Sequence, residues 1–119
     1  MPWAHHFFSG DGSYGPHFKA IGNSYGPFDL ALMECGQYNA QWANIHMVPE
    51  QSVQAALDVQ ARAMLPVHWA AFTEANHAWT EPVERATVAA AAHLPLATPR
   101  LGQPVTLGAG PLPSARWWQ

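Results

Sequence analysis

The feature that most constrains this chain is a short apolar run that ends at a histidine. Residues 64–67 are apolar and lead directly to His68. In α/β proteins, such a run is typical of a buried strand whose carboxyl end presents a ligand or a catalytic group. An earlier segment repeats this plan, because Asp11 follows Phe8 and stands between two glycines. We therefore predict that Asp11 and His68 form a pair at one edge of a sheet.

The rest of the pattern predicts an α/β protein with three strands, a further short edge strand and three helices. Pro49 and Glu50 open the clearest helix, since both suit a first turn and apolar residues follow at helical spacing. The helix between the second and third strands indicates a right-handed crossover and a parallel pairing. The predicted strands cover 5–10, 28–35, 63–68 and a short edge segment at 105–107, and the other predicted helices cover about 16–26 and 80–93.

Composition excludes several classes of function. The net charge is −3, and no stretch is rich in Lys and Arg, which argues against nucleic-acid binding. No apolar stretch is long enough to span a membrane, and a single cysteine, Cys35, allows no internal disulfide, so a cytoplasmic location is expected. We expect Cys35 to be a small buried residue. Only 11% of residues are charged and six are tryptophan, which indicates a surface that other protein covers.

The candidate residues leave several chemical interpretations open. An aspartate and a histidine at one sheet edge could be metal ligands, a base with its orienting group, or two satisfied polar side chains. His46 precedes the clearest helix, where it could meet an anion or remain solvated. The same alternatives apply to His77, and Tyr38 lies in a polar and aromatic loop of the kind that lines pockets. Spacing alone does not choose among these interpretations.

Several motifs make the chain resemble the carboxyl-terminal half of metallo-β-lactamase-fold hydrolases. The resemblance is to the branch that contains the N-acyl-phosphatidylethanolamine-hydrolysing phospholipase D and its bacterial relatives. The motifs are FSGDGSY at 8–14, GPFDLA at 26–31, ECGQYN at 34–39, HMVPEQ at 46–51, LPVHW at 65–69, WTEPVER at 79–85 and TPRLGQPV at 98–105.

The resemblance implies roles for the candidate residues. Asp11 matches a catalytic carboxylate that bridges two metal ions, and His68 matches a histidine that ligates one of them, so zinc is the implied cofactor. His46 matches a histidine on the substrate phosphate or leaving-group side of the pocket, which Tyr38 and His77 would border. The family's other ligands belong to a His-x-His-x-Asp-His motif that this sequence lacks. Ala70 replaces a glycine that usually follows the equivalent of Trp69.

The resemblance also implies an incomplete fold. The expected architecture is half of an αββα sandwich, with one mixed sheet and flanking helices. It would form a single truncated domain over 1–119, with a family core at about 5–108 and a proline-rich tail at 94–119. One sheet face would be open to water, which predicts a homodimer, a higher oligomer or an amino-terminal partner chain. The residues of that face are Phe7 or Phe8, Leu30, Leu32, Leu65 and Val67.

Three functions remain as hypotheses from the sequence. The first is a truncated, oligomeric domain without the full hydrolase activity of its family. The second is a metal-dependent phosphodiester or related ester hydrolase whose site another chain completes. The third is a non-catalytic interaction module. The absent histidine motif favours the first and third hypotheses, whereas the presence of Asp11, His46 and His68 favours the second.

Overall fold

The computed structural model describes residues 4–36, 38, 46–70, 77–108 and 110–119. Strands and helices alternate along these ranges, as the sequence pattern predicts. The strands are β1 (His6–Phe8), β2 (Leu30–Glu34) and β3 (Met64–Val67), and the helices are α1 (His17–Tyr25), α2 (Pro49–Asp58) and α3 (Glu81–Ala90).

The three strands form one sheet in the order β1-β2-β3, and both pairings are parallel. Phe8 pairs with Leu32, and Leu32 pairs with Leu65, so these three residues form one row across the sheet. The α/β prediction is therefore confirmed, although the described strands form a parallel sheet rather than a mixed one. Because all three strands run in the same direction, their carboxyl ends lie at one edge.

The hydrophobic core lies between the sheet and the helices. Alternate β2 residues face it, so Ala31 and Met33 are fully buried in a core cluster that includes residues of all three helices. Cys35 is also buried, as predicted. The core cluster contains Phe18, Phe28, Ala31, Met33, Met47, Val53, Ala55, Ala56, Val59, Met64, Ala86, Ala90 and Leu94.

The opposite face of the sheet is partly open. Phe8 is 67% exposed, and Leu32, Leu65 and Val67 are half-buried. Phe7 belongs to the other face, where it packs against the core. We call the set Phe8, Leu32, Leu65 and Val67 the open face. Leu30 was predicted to belong to this open surface, but the structure shows it buried, with 6% exposure.

The segment after α3 differs from its prediction. Residues 105–107 do not form a strand, and Leu96 instead makes a parallel bridge to Met64 of β3. The Met64 amide donates to the Pro95 carbonyl at 2.9 Å, and the Ala97 amide donates to the Met64 carbonyl at 2.8 Å. This bridge pairs backbone groups at the β3 edge, which would otherwise be unsatisfied.

The predicted helix boundaries agree with the observed ones more closely at the amino termini than at the carboxyl termini. Pro49 and Glu50 lie in the first turn of α2, as predicted. Thr80 occupies the amino-terminal cap position of α3 but makes no side-chain cap hydrogen bond, and the helix ends at Ala90 rather than near His93. None of the helices in the described ranges has the length and apolar character needed to cross a bilayer.

Candidate functional site

The polar residues that follow the three strands meet at the carboxyl edge of the sheet. Asp11 lies in the turn after β1, Glu34 is the last residue of β2, and His68 follows the last residue of β3. His46 precedes α2 and reaches the same edge, because its ring contacts both Glu34 and His68. Parallel pairing therefore brings together side chains that are far apart in the sequence.

Glu34 is the buried acid at the centre of this edge. Its side chain has no exposed surface. Oε1 accepts a hydrogen bond from the Met47 amide at 2.9 Å and lies 3.3 Å from Nδ1 of His46. Oε2 lies 3.9 Å from Nδ1 of His68 and has no hydrogen-bond partner among the residues that the structure describes. Burial raises the pKa of Glu34, while the Met47 amide and the two imidazoles act in the opposite direction.

The backbone of Glu34 is also held by side chains. Its amide nitrogen donates to Oγ of Ser9 at 3.0 Å, and the hydroxyl of Ser52 donates to its carbonyl oxygen. These bonds tie the end of β2 to the loop after β1 and to α2. The carboxylate is consequently presented from a rigid position rather than from a mobile loop.

His46 and His68 flank the Glu34 carboxylate as a stacked pair. Their ring centroids are 5.5 Å apart and the rings are inclined by 29°. One donor atom from each of Glu34, His46 and His68 lies within 4.8 Å of the other two. Two imidazole nitrogens and a carboxylate oxygen are a common ligand set for zinc and similar divalent ions. The unpartnered Oε2 and this donor chemistry fit a divalent metal ion.

A tight turn holds His68 in place. His68 and Ala70 both have positive φ, at 64° and 65°, which non-glycine residues adopt at a cost of about 1–3 kcal/mol each. Gly36 packs directly beneath this turn, since a Cβ at Gly36 would lie 1.8 Å from the His68 carbonyl oxygen. Between the two strained residues, the indole nitrogen of Trp69 donates to the Pro66 carbonyl at 3.1 Å. The position of His68 thus depends on close backbone packing.

Asp11 and His68, the predicted pair, line the same cavity. This cavity has a volume of about 380 Å³ and is also lined by Phe8, Gly10 and Val67. Asp11 itself is exposed, and Gly10 before it has a φ of 67°. The structure therefore brings Asp11 and His68 to one cavity, but it places Glu34 and His46, rather than Asp11, around His68 as the closest donor set.

A second cavity of about 400 Å³ is also lined by Val67 and His68. Trp69 and Trp117 form part of its wall and stack with centroids 5.6 Å apart. The tail tryptophan docks because its indole nitrogen donates to the Thr98 carbonyl at 3.1 Å. An apolar cavity consequently adjoins the polar edge of the sheet.

Tyr38 and His77 form a separate cluster. Their rings stack with centroids 4.2 Å apart and an inclination of 10°. The Tyr38 hydroxyl donates to Glu81, and the Arg85 guanidinium lies 4.8 Å from the centre of the Tyr38 ring. Arg85 in turn makes two bonds to Glu50, at 2.8 and 2.6 Å. The polar partners of Tyr38 among the described residues therefore belong to α3, and His77 also contacts the Ala78 carbonyl. Most of the adjoining predicted loop lies outside those residues.

Sequence reasoning missed Glu34 as a functional candidate. The sequence pattern places it only in the predicted strand at 28–35 and in the motif at 34–39. The available signal was an acidic residue that ends an otherwise apolar run, as His68 does for β3. That signal could not predict which residues contact the Glu34 carboxylate, because Met47 and His46 belong to a different loop.

Comparison with known proteins identifies the family of this chain. The family model described as a β-lactamase superfamily domain matches residues 3–69. An uncharacterized protein of Mycobacterium tuberculosis is 44% identical over 117 residues, which is 95% of this chain and 31% of that protein. The N-acyl-phosphatidylethanolamine-hydrolyzing phospholipase D 1 of Caenorhabditis elegans is 36% identical over 69 residues, or 56% of this chain and 19% of that protein.

The fold also matches a solved structure. Igni18, described as a metallo hydrolase from the archaeon Ignicoccus hospitalis, superposes with a TM-score of 0.60 and 19% sequence identity. The match covers 82% of this chain and 39% of Igni18. The chain thus spans about a third of the mycobacterial relative and a smaller share of the nematode one. These matches, together with the parallel half-sandwich and its polar edge, show that the chain belongs to the β-lactamase superfamily and has part of the metallo-β-lactamase fold.

Proposed function

We propose that this chain provides the carboxyl-terminal part of a metal-dependent hydrolase site for phosphodiesters or related esters. The main observation is that Asp11 and His68 line one cavity beside the buried Glu34 carboxylate. In this proposal, Asp11 and His68 are metal ligands, and zinc is the first candidate ion. The relatives named above support the hydrolase class, because one is named as a phospholipase and the solved structure as a metallo hydrolase.

A divalent ion at such a site supplies a Lewis acid and lowers the pKa of a bound water. The residues of this chain would position the ion and the substrate. The strained turn holds His68, and Asp11 approaches the same cavity from the loop after β1. His46 is oriented by Oε1 of Glu34 and would hydrogen-bond the substrate phosphate or the leaving group. Tyr38 and His77 would contact the substrate only from their separate cluster, which packs against α3.

The ligand set that this sequence offers is incomplete for a two-metal hydrolase. It lacks the His-x-His-x-Asp-His motif, and a catalytic zinc needs three protein ligands besides water. We therefore propose a single truncated domain that has little of the family's hydrolase activity by itself. Another polypeptide segment with the missing ligands would complete the site. A cytoplasmic location stays a prediction.

We propose that this segment would bind to the open face. Burying a large apolar side chain stabilises a protein by about 1.5–3 kcal/mol, and four such residues form the open face.

In the absence of an amino-terminal partner, a twofold homodimer would bury the same face on both chains. Light scattering tests the homodimer: Leu65→Asp should give a monomer, whereas an unchanged mass would contradict association through this face.

Co-expression tests the hydrolase proposal. The chain is produced alone and with the part of the mycobacterial relative that it does not match, and both samples are assayed with bis(p-nitrophenyl) phosphate and Zn²⁺. Hydrolysis is expected only from the complex. Asp11→Asn and His68→Gln should each lower it by about 100-fold or more, since each removes a ligand. His93→Gln, at an exposed histidine, is the matched control. A stable complex without hydrolysis would contradict the proposal and favour an interaction module.

A further inference from the structure

We infer that Glu34, His46 and His68 form a divalent metal site that this chain holds by itself. The site shares His68 and His46 with the proposed hydrolase centre, where His46 would instead contact the substrate, but it requires neither a second polypeptide nor hydrolysis. It differs from the pair that the family resemblance implies, because Glu34 and His46 take the place of Asp11 around His68.

The distances suit a metal site with small adjustments. Donor atoms of a tetrahedral zinc site lie about 3.3 Å apart when the bonds are about 2.0–2.1 Å. Oε1 of Glu34 and Nδ1 of His46 are 3.3 Å apart, and Oε2 of Glu34 and Nδ1 of His68 are 3.9 Å apart. These two distances involve different oxygens of the carboxylate. When one donor atom is taken from each residue, the three atoms lie within 4.8 Å of one another. The His68 side chain is 35% exposed, so it has room to turn inward by the remaining distance.

The burial of Glu34 provides a second, independent observation. Within the described part of the chain, Oε2 is buried and has no hydrogen-bond partner, although a buried carboxylate oxygen without one is costly. This oxygen faces the ring of His68, while Oε1 of the same carboxylate faces the ring of His46. A proton between the carboxylate and one imidazole would make a single hydrogen bond, to His46 or to His68. A divalent ion would satisfy the carboxylate and both imidazoles together.

The donor set also selects the class of ion. Two imidazole nitrogens with one carboxylate favour Zn²⁺, Co²⁺ or Ni²⁺ over Ca²⁺ and Mg²⁺, which prefer oxygen ligands. Three protein ligands leave a fourth position open, as in catalytic rather than structural zinc sites. His68 also lines the cavity that contains Asp11, so that position would be accessible to water and small ligands.

Metal titration of the purified full chain tests this inference. Co²⁺ should give the visible absorption of a tetrahedral nitrogen and oxygen site, and calorimetry with Zn²⁺ should show about one ion per chain. Glu34→Gln, which keeps the size of the side chain, and His46→Gln should each weaken binding by about 100-fold, because each removes one of three ligands. His93→Gln should bind Zn²⁺ as the unmodified chain does.

Circular dichroism first establishes that each variant is folded. If Glu34→Gln unfolds the chain, His46→Gln still tests the metal site, because His46 lies outside the helices and strands. Wild-type affinity in a folded Glu34→Gln or His46→Gln chain would overturn the inference. So would strong weakening by Asp11→Asn alone, which would place the ion on the Asp11–His68 pair. Failure of hydrolysis in the co-expressed complex would count against the hydrolase proposal only, because the titration uses the chain alone.

Discussion

Replacing Gly36 with alanine should disturb the candidate site through the backbone. Gly36 follows β2 closely and lies against the turn that holds His68. An added Cβ would lie 1.8 Å from the His68 carbonyl oxygen and 2.5 Å from Cα of Trp69. Real Cβ contacts are essentially never shorter than 3.0 Å. The atoms involved belong to the backbone, so the turn itself would have to move by more than about 1 Å.

The magnitude follows from two opposing effects. Overpacking of a buried contact costs about 1–3 kcal/mol and occasionally more. Alanine recovers about 0.4–1 kcal/mol, because it reduces the conformational freedom of the unfolded chain. We expect Gly36→Ala to lower the free energy of unfolding by about 2 kcal/mol. The displaced turn should also move His68 away from Glu34 and reduce Zn²⁺ affinity.

Gly22→Ala provides the matched control. A Cβ at Gly22 would lie 2.2 Å from the Asp58 carbonyl oxygen, where α1 packs against the end of α2. It should lower stability by a similar amount without moving His68. Urea denaturation measures stability, and Zn²⁺ calorimetry in the absence of urea measures the site. Stability of Gly36→Ala within about 0.5 kcal/mol of the unmodified chain would refute the packing argument. Equal loss of Zn²⁺ affinity in both variants would refute the specific effect on His68.

Three further predictions concern single residues or pairs. Ala70→Gly should stabilise the chain by about 0.5–1 kcal/mol in urea denaturation, because glycine relieves the positive φ but gains freedom when unfolded; an unchanged midpoint would contradict the strained turn. The hydrogen bonds from Arg85 lower the pKa of Glu50, so this pair stabilises the fold above the ordinary carboxyl pKa of 4.5 and the effect disappears as pH falls through the lowered value. Glu50→Gln should therefore cost about 0.5–1 kcal/mol at neutral pH, since both side chains are partly exposed, and almost nothing in strong acid; a cost independent of pH would show that charge is not the cause. Burial raises the pKa of the Cys35 thiol, so Cys35 should react with a disulfide reagent only after unfolding, and rapid reaction of the native chain would show that it is accessible.

Several parts of the fold were predictable because they depend on local patterns. An apolar run that ends in a polar residue identified β3 and His68, and proline with an acidic residue in a first turn identified α2. Alternating elements predicted parallel strands, and parallel strands predicted that Asp11 and His68 would reach one edge. These inferences succeed because periodicity and turn chemistry act over a few residues.

Other features depended on the way distant segments pack. The pattern could not decide whether Phe7 or Phe8 faces the core, since a shift of one residue exchanges the two sides of a strand. Leu30 was expected on the open face and is buried. Residues 105–107 have strand-like composition, yet the β3 edge pairs with Leu96, which follows α3 more closely along the chain.

The sequence by itself determined the superfamily, the order of strands and helices, and two residues at the carboxyl edge of the sheet. Only the tertiary structure identified Glu34 as the centre of the candidate site. Its partners His46 and His68 lie 12 and 34 residues further along the chain, and they meet it through loop packing and a strained turn. A buried carboxylate is recognised by what surrounds it, and those surroundings form only when the strands pair and the loops dock.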